Sequence, residues 1–175
     1  MRRLLFGLLC FVSVSVSAGS STETSGDIIH LLLPATAIGA SVYLEDNYSG
    51  TIQLAKAGIT SRVIVEALKL AVPKDRPDGS GDDAYASGHT ADSFAAATFL
   101  YRRYGFDYGF PAYLASIWVA HTRMKANKHE VEDVILGAVI GSFSSLNFTT
   151  KYNKLEVTPV AKADGYVGVL VSSRF

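Results

Sequence analysis

Apolar residues along the chain fall into long blocks separated by short polar or glycine- and proline-containing stretches. Behind Arg2 and Arg3 comes an apolar, serine-dotted run from Leu4 to Val16, then the small residues Ser17 and Ala18. Ser20 to Ser25 is polar, and Ile28 to Leu44 is again almost wholly apolar. The pattern predicts a helix starting near Asp27, whose charge suits a helix N-terminus. Pro34 should kink it or mark a second start. After the turn "EDNYSG", Ile52, Leu54, Ile59, Val63, Ile64, Leu68 and Leu70 recur mostly at spacings of three and four, predicting an amphipathic helix over Thr51–Val72. "PKDRPDGSGDD" over Pro73–Asp83 reads as loop. Helical pattern resumes from Gly88 to Tyr104, with Gly105 placed to cap its C-terminus. "FDYGFPAY" reads as a connection, Ala112–Thr122 as a helix, "RMKANKHE" as a polar link, and Val131–Asn147 as a last apolar helix. From Leu155 to Phe175 the residues become β-branched and alternate, predicting a hairpin or a pair of strands. The expected fold class is an all-α bundle of about five to six helices with a short C-terminal β-hairpin.

Composition narrows the class. The 175 residues suit one domain, and 49% of them are hydrophobic against 18% charged. Lys+Arg and Asp+Glu both number 16, so no strong field marks the chain for nucleic acid, and no nucleic-acid motif is present. Residues 1–18 have the three parts of a secretory signal peptide, with removal expected after Ala18. The one cysteine, Cys10, lies inside that segment, so residues 19–175 would form a single thiol-free domain exported to the periplasm. The runs Ile28–Leu44 and Val134–Thr150 are short for membrane spans. They suggest a periplasmic bundle resting against a membrane, with a small integral membrane protein as the alternative.

Three clusters place costly polar residues beside apolar helices. The first is Lys69 followed, after six residues, by Arg76-Pro77. The second is Ser87-Gly88-His89 at a predicted helix start, where free backbone N–H groups attract anions and Gly88 allows close approach. The third is Thr122-Arg123, then His129 and Asp133. If His129 and Asp133 shared a helix they would share a face, and the carboxylate could orient the imidazole. Each cluster also has an ordinary reading: solvated loop charges, a serine N-cap, a surface His–Asp pair.

Taken together, the three resemble the signature of the type 2 phosphatidic acid phosphatase superfamily: Lys-x6-Arg-Pro, Pro-Ser-Gly-His and Ser-Arg-x5-His-x3-Asp. Ala86 stands where that pattern has proline, and Thr122 where it has serine. "GDIIHLLLPA", "RRYGFDYGFPAYLA" and "EDVILGAVIG" are similar, more loosely, to compact exported bacterial members. The resemblance implies a phosphatase for phosphate monoesters or diphosphates, with lipids as the expected substrate class, working without metal or other cofactor. It implies that His129 attacks phosphorus, Asp133 orients His129, and His89 protonates the leaving group. Lys69, Arg76, Ser87, Gly88 and Arg123 would bind the phosphate. Partners would be a phosphorylated lipid or small phosphoester and a membrane surface, not nucleic acid.

Alternatives remain at this level. A vanadate-dependent haloperoxidase shares the site pattern. A metal hydrolase could use His89, His121, His129 and Asp133, but their spacing fits no ligand motif. A non-catalytic envelope interaction protein could use the C-terminal strands, which are too few to close a barrel.

Overall fold

The computed structural model describes residues 21–161 and 167–174; the expected signal segment lies outside the described residues. Its helices are α1 (Ser21–Leu44), α2 (Ser49–Ala71), α3 (Gly88–Tyr104), α4 (Phe106–Lys125) and α5 (Val131–Phe148). Strands β1 (Lys154–Ala161) and β2 (Val167–Arg174) pair antiparallel, with Lys154 opposite Arg174 and Ala161 opposite Val167. This is the expected helical bundle with a β-hairpin.

Two boundaries differ from the apolar pattern. The polar residues before Asp27 are already helical, because α4 holds them. Trp118 donates to Ser25 Oγ at 3.1 Å, and Arg123 donates to the Glu23 carbonyl at 3.1 Å. Pro34 lies inside a continuous α1 rather than at a second start. The segment expected as a connection, "FDYGFPAY", forms the first turns of α4. Gly105, at φ 95°, turns the chain abruptly enough that α4 follows α3 with no longer linker.

Helix α3 occupies the centre and is packed by α1, α2, α4 and α5. Its buried side chains are mostly small (Ala91, Ser93, Ala95, Ala96, Ala97), with Phe99 and Leu100 filling the middle of the core. Small residues let backbones approach, and α5 uses two glycines to do so. A Cβ on Gly137 would strike the Ser87 carbonyl, and one on Gly141 would overlap the Ala91 carbonyl. The spacing of four between them is the small-xxx-small pattern of closely packed membrane helices.

At the end of α3 away from Gly88, buried Arg103 meets buried Glu45 through Nε–Oε1 at 2.5 Å and Nη2–Oε2 at 2.6 Å. The Tyr104 hydroxyl and the Gly50 N–H also donate to that carboxylate. Burial pushes the Glu45 carboxyl up, but these donors outweigh it and hold it below its usual range. Arg103 also donates to the Thr150 carbonyl and its carbonyl accepts from Tyr152, which ties the approach to the hairpin onto the bundle.

The outward faces are apolar. Leu32, Ile59, Val63, Ile117, Val139 and Phe143, from four helices, are each more than half exposed or close to it. Contiguous exposure of that kind marks an interaction or membrane surface. Two helices, α1 and α5, are long and apolar enough to cross a membrane. The 24 residues of α1 extend roughly 36 Å and the 18 of α5 roughly 27 Å, against a hydrocarbon core of about 30 Å. The apolar run Ile28–Leu44 looked short for a span because the polar turns that lengthen α1 lie outside it.

Candidate active site

An up-and-down bundle brings the starts of α1, α3 and α5 to the same end as the finishes of α2 and α4. Every residue singled out in the three clusters lies at that end. Lys69 is in the last turn of α2, Ser87 caps α3, and Arg123 is in the last turn of α4. Arg76 sits on the α2–α3 loop, and His129 on the α4–α5 connection.

The α2–α3 loop is folded on itself. Lys74 N–H donates to the Asp82 carbonyl, Ala84 N–H to the Lys74 carbonyl, and Arg76 N–H to the Gly81 carbonyl, all at 2.8–2.9 Å. Asp78 N–H donates to Asn127, and Ser87 N–H to the Asp133 carbonyl at 2.9 Å, so the loop is fastened to the α4–α5 connection. That arrangement brings the Ala84 carbonyl to His129 Nδ1, at 2.9 Å.

His129 is buried, and its orientation comes from that carbonyl rather than from Asp133. The predicted shared helical face does not exist, because Glu130 caps α5 and leaves His129 two residues ahead of it. Asp133 Oδ2 instead accepts from Glu130 N–H at 2.8 Å, completing the capping box, and Oδ1 accepts from Lys74 Nζ at 2.9 Å. Lys74 also contacts Glu130 at 2.8 Å and Glu132 at 2.5 Å. Asp133 is fully buried and acts on His129 through charge and by fixing the start of α5.

A neutral His129 that donates from Nδ1 carries its lone pair on Nε2. Burial lowers its pKa below the ordinary histidine value; the nearby Arg76 and Lys69 lower it further, against the Ala84 carbonyl and Asp133. A depressed pKa means the ring remains unprotonated as pH falls past the usual midpoint of about 6.5. If the neutral ring is the reactive form, the acid limb of kcat/KM should therefore fall below pH ~6.5. A pH–rate profile whose acid limb has its midpoint at or above that value would contradict this.

The cations are held by carboxylates. Arg76 makes a two-pronged pair with Asp83 at 2.7 and 2.9 Å, and Lys69 lies 3.5 Å from the same carboxylate. Arg76 is the main reason the Asp83 carboxyl sits below its usual range. The proximity of Asp83 to both cations makes it part of the site. Asp27 plays the matching part on the other side, with Oδ1 at 3.0 Å from Arg123 Nη1 and 3.3 Å from His89 Nε2. Arg123 is buried, and its Nε has no hydrogen-bond partner among the described residues. It is a donor still available to an anion.

At the α3 start, Ser87 Oγ accepts from Thr90 N–H at 3.5 Å and from Thr90 Oγ1 at 3.0 Å, so it is a helix cap. Ala86, before it, has φ 62°. Proline is locked near −65°, so the proline of the family pattern could not take this conformation. The turn into α3 is built differently here. Sequence reasoning missed Asp27, Lys74 and Arg62. Arg62 Nη1 lies 2.6 Å from where a Gly88 Cβ would be, and Arg62 also pairs with Asp92. His30 bonds Asp92 at 3.0 Å and packs on the His89 ring at 4.3 Å between centroids. No motif spacing marks these residues; they meet only because the helix ends converge.

Known proteins resemble the chain. A family model described as the PAP2 superfamily matches residues 7–156. The lipid A 1-phosphatase of Porphyromonas gingivalis is 36% identical over 81 residues, covering 45% of this chain and 18% of that protein. The lipid A 4'-phosphatase of Helicobacter pylori is 27% identical over 141 residues, covering 74% of this chain and 70% of that protein. The chain thus spans under a fifth of the first relative's length and just over two thirds of the second's. The crystal structure of Aquifex aeolicus LpxE has a similar fold, with a TM-score of 0.55 at 21% identity over 69% of this chain and 83% of that one.

Proposed function

We propose, since the chain belongs to the PAP2 superfamily, that it is a phosphatase that removes phosphate from a membrane lipid through a phosphohistidine intermediate. The observation that carries this is the meeting of His129, His89, Lys69, Arg76 and Arg123 with a helix N-terminus at one end of an apolar-faced bundle. The relatives named for lipid A make lipid A phosphates the first substrates to test.

His129 Nε2 attacks phosphorus while the bond to the lipid oxygen breaks, and His89, whose pKa burial and the neighbouring His30 and Arg123 push down to about 3, takes up a proton once the phosphate anion is bound and gives it to that oxygen. Water then attacks phosphorus as its bond to His129 Nε2 breaks, His89 takes the water's proton, and phosphate leaves with the imidazole freed. Lys69, Arg76 and Arg123, with Ser87 and the free N–H groups of the α3 start at Gly88, hold the non-bridging oxygens. Stabilising that charge is the main task in phosphoryl transfer. To admit phosphate, Asp83 and Asp27 give up their cations. Asp133 supports His129 by charge and by anchoring α5.

The bundle lies within the bilayer, with α1 and α5 crossing it and the site at the headgroup level. A bundle merely resting on a membrane would leave apolar faces of four helices in water. Removal of residues 1–18 would free the chain just before α1 on the exported side, and the site end of the bundle is where α1 begins. On this reading the site faces the periplasmic leaflet.

A phosphate-release panel in detergent tests the reading, comparing lipid A, phosphatidic acid, an isoprenoid diphosphate and a soluble phosphomonoester. At least one lipid should exceed the soluble ester by tenfold or more in kcat/KM. Release from no substrate sinks the phosphatase, and preference for the soluble ester sinks the lipid specificity.

A further inference from the structure

Two grooves of similar size lie on the outer surface among the described residues, and one of them runs to the site. A groove of about 660 Å³ between α1 and α4 is bordered by Tyr43, Asp107 and Pro111, at the end of the bundle away from His89. The other, of about 640 Å³, lies between α1 and α2. Pro34 and Ile38 form one wall, Ile59 and Val63 the other, and Ala95 and Ala96 of α3 form the floor. Its ionisable residues gather at one end, where His30, Arg62 and Asp92 line it. Those residues adjoin the site: the His30 ring packs on His89, and Arg62 Nη1 lies over Gly88.

From this continuity we propose that the α1–α2 groove holds one acyl chain of the phosphorylated lipid whose phosphate is bound at the α3 start. The inference rests on the phosphatase reading and adds the subsite that selects for a long chain. Its length suits that occupant. From Arg62 to Thr51, both on the groove, is eleven helical residues, roughly 16 Å. Its chemistry suits it as well. The polar end, where Arg62 pairs with Asp92, adjoins the phosphate site, and apart from Thr51 at the far end the remainder is apolar, as a headgroup with one chain requires. A soluble phosphoester has nothing to place there.

Gly58 lies on the groove wall, and nothing stands within 4 Å of the position its Cβ would take. A tryptophan there fills the groove without displacing backbone. Gly39 lines the α1–α4 groove with the same free space and supplies the control. The measurement is the ratio of kcat/KM for a long-chain lipid phosphate to that for a short-chain analogue, in detergent. Gly58→Trp should lower the ratio tenfold or more, and Gly39→Trp should leave it as in the wild type. An unchanged ratio in Gly58→Trp, or an equal drop in both variants, overturns the subsite. Independently of turnover, a lipid phosphate with a photoreactive group near its chain end should label the wild-type chain between Pro34 and Ile59. Label confined to α4, α5 or a second copy also overturns it. Labelling of the groove by a protein that releases phosphate from nothing would sink the phosphatase and leave the groove assignment standing.

Discussion

Replacing His129 with alanine abolishes phosphate release from every substrate the wild-type chain accepts, by on the order of 10⁴-fold or more, the scale for removing a nucleophile. The expectation rests on geometry as well as on residue type. His129 Nδ1 is committed to the Ala84 carbonyl, so the ring presents Nε2 as its free nitrogen. Burial and two neighbouring cations lower its pKa and favour the neutral ring. No substituted side chain at that position, and no water in its place, would be aimed by the same carbonyl. The bundle should survive the change. His129 lies on a connection and not in the core around Phe99 and Leu100, so a loss of about 1–2 kcal/mol is expected. A circular dichroism melt on the purified variant checks this. Rapid acid quench of the wild-type protein with labelled substrate supplies the positive half: the label should appear on His129. Persistent turnover in the alanine variant, or label on His89 or His30, would refute the assignment.

Much of the fold was visible in the apolar pattern, because most helices here are bounded by local chemistry. Ser87 and Gly105 bracket α3 at the residues the pattern predicts. What the pattern hid depends on contacts distant in sequence. The polar start of α1 is helical because Trp118 and Arg123 hold it, and the start of α4 depends on a single left-handed glycine. The site divides in the same way. Lys69, Arg76, His89, Arg123 and His129 stand out because their three clusters together resemble the family signature, although each cluster alone also has an ordinary reading. The group that orients His129 does not, because it is a backbone carbonyl and every residue has one. Asp133 illustrates the limit of spacing arguments. Four residues separate it from His129, yet the helix begins between them, and the carboxylate turns to Lys74 and the Glu130 N–H. Lys74, Asp27 and Arg62 belong to no motif and reach the site only through the meeting of helix ends.

Gly141→Leu prevents the chain from folding, although Gly141 lies two turns from the site and carries no chemistry. A Cβ there would overlap the Ala91 carbonyl oxygen and come within 3.0 Å of the Ala95 nitrogen, both backbone atoms of the central helix. Neither can yield by changing a rotamer, so α5 would have to move away from α3. The contact between these two helices is the most extensive in the bundle, and Gly137, one turn earlier, depends on the same separation. The cost should exceed about 4 kcal/mol, the range in which overpacking and lost burial act together. A graded response separates this cause from the loss of glycine flexibility. Gly141→Ala adds the clash with little else and should be destabilised but still recoverable, whereas leucine should give no folded protein. Leucine at Gly39 or Gly58, where the Cβ position is open, should be tolerated. Folded yield and thermal midpoint in detergent measure all four variants. A Gly141→Leu protein as stable as the wild type would mean that α3 and α5 are not in this contact. It would also remove the basis for the site, since the bond from Ser87 N–H to the Asp133 carbonyl, which joins the α3 start to the α5 start, depends on the same approach.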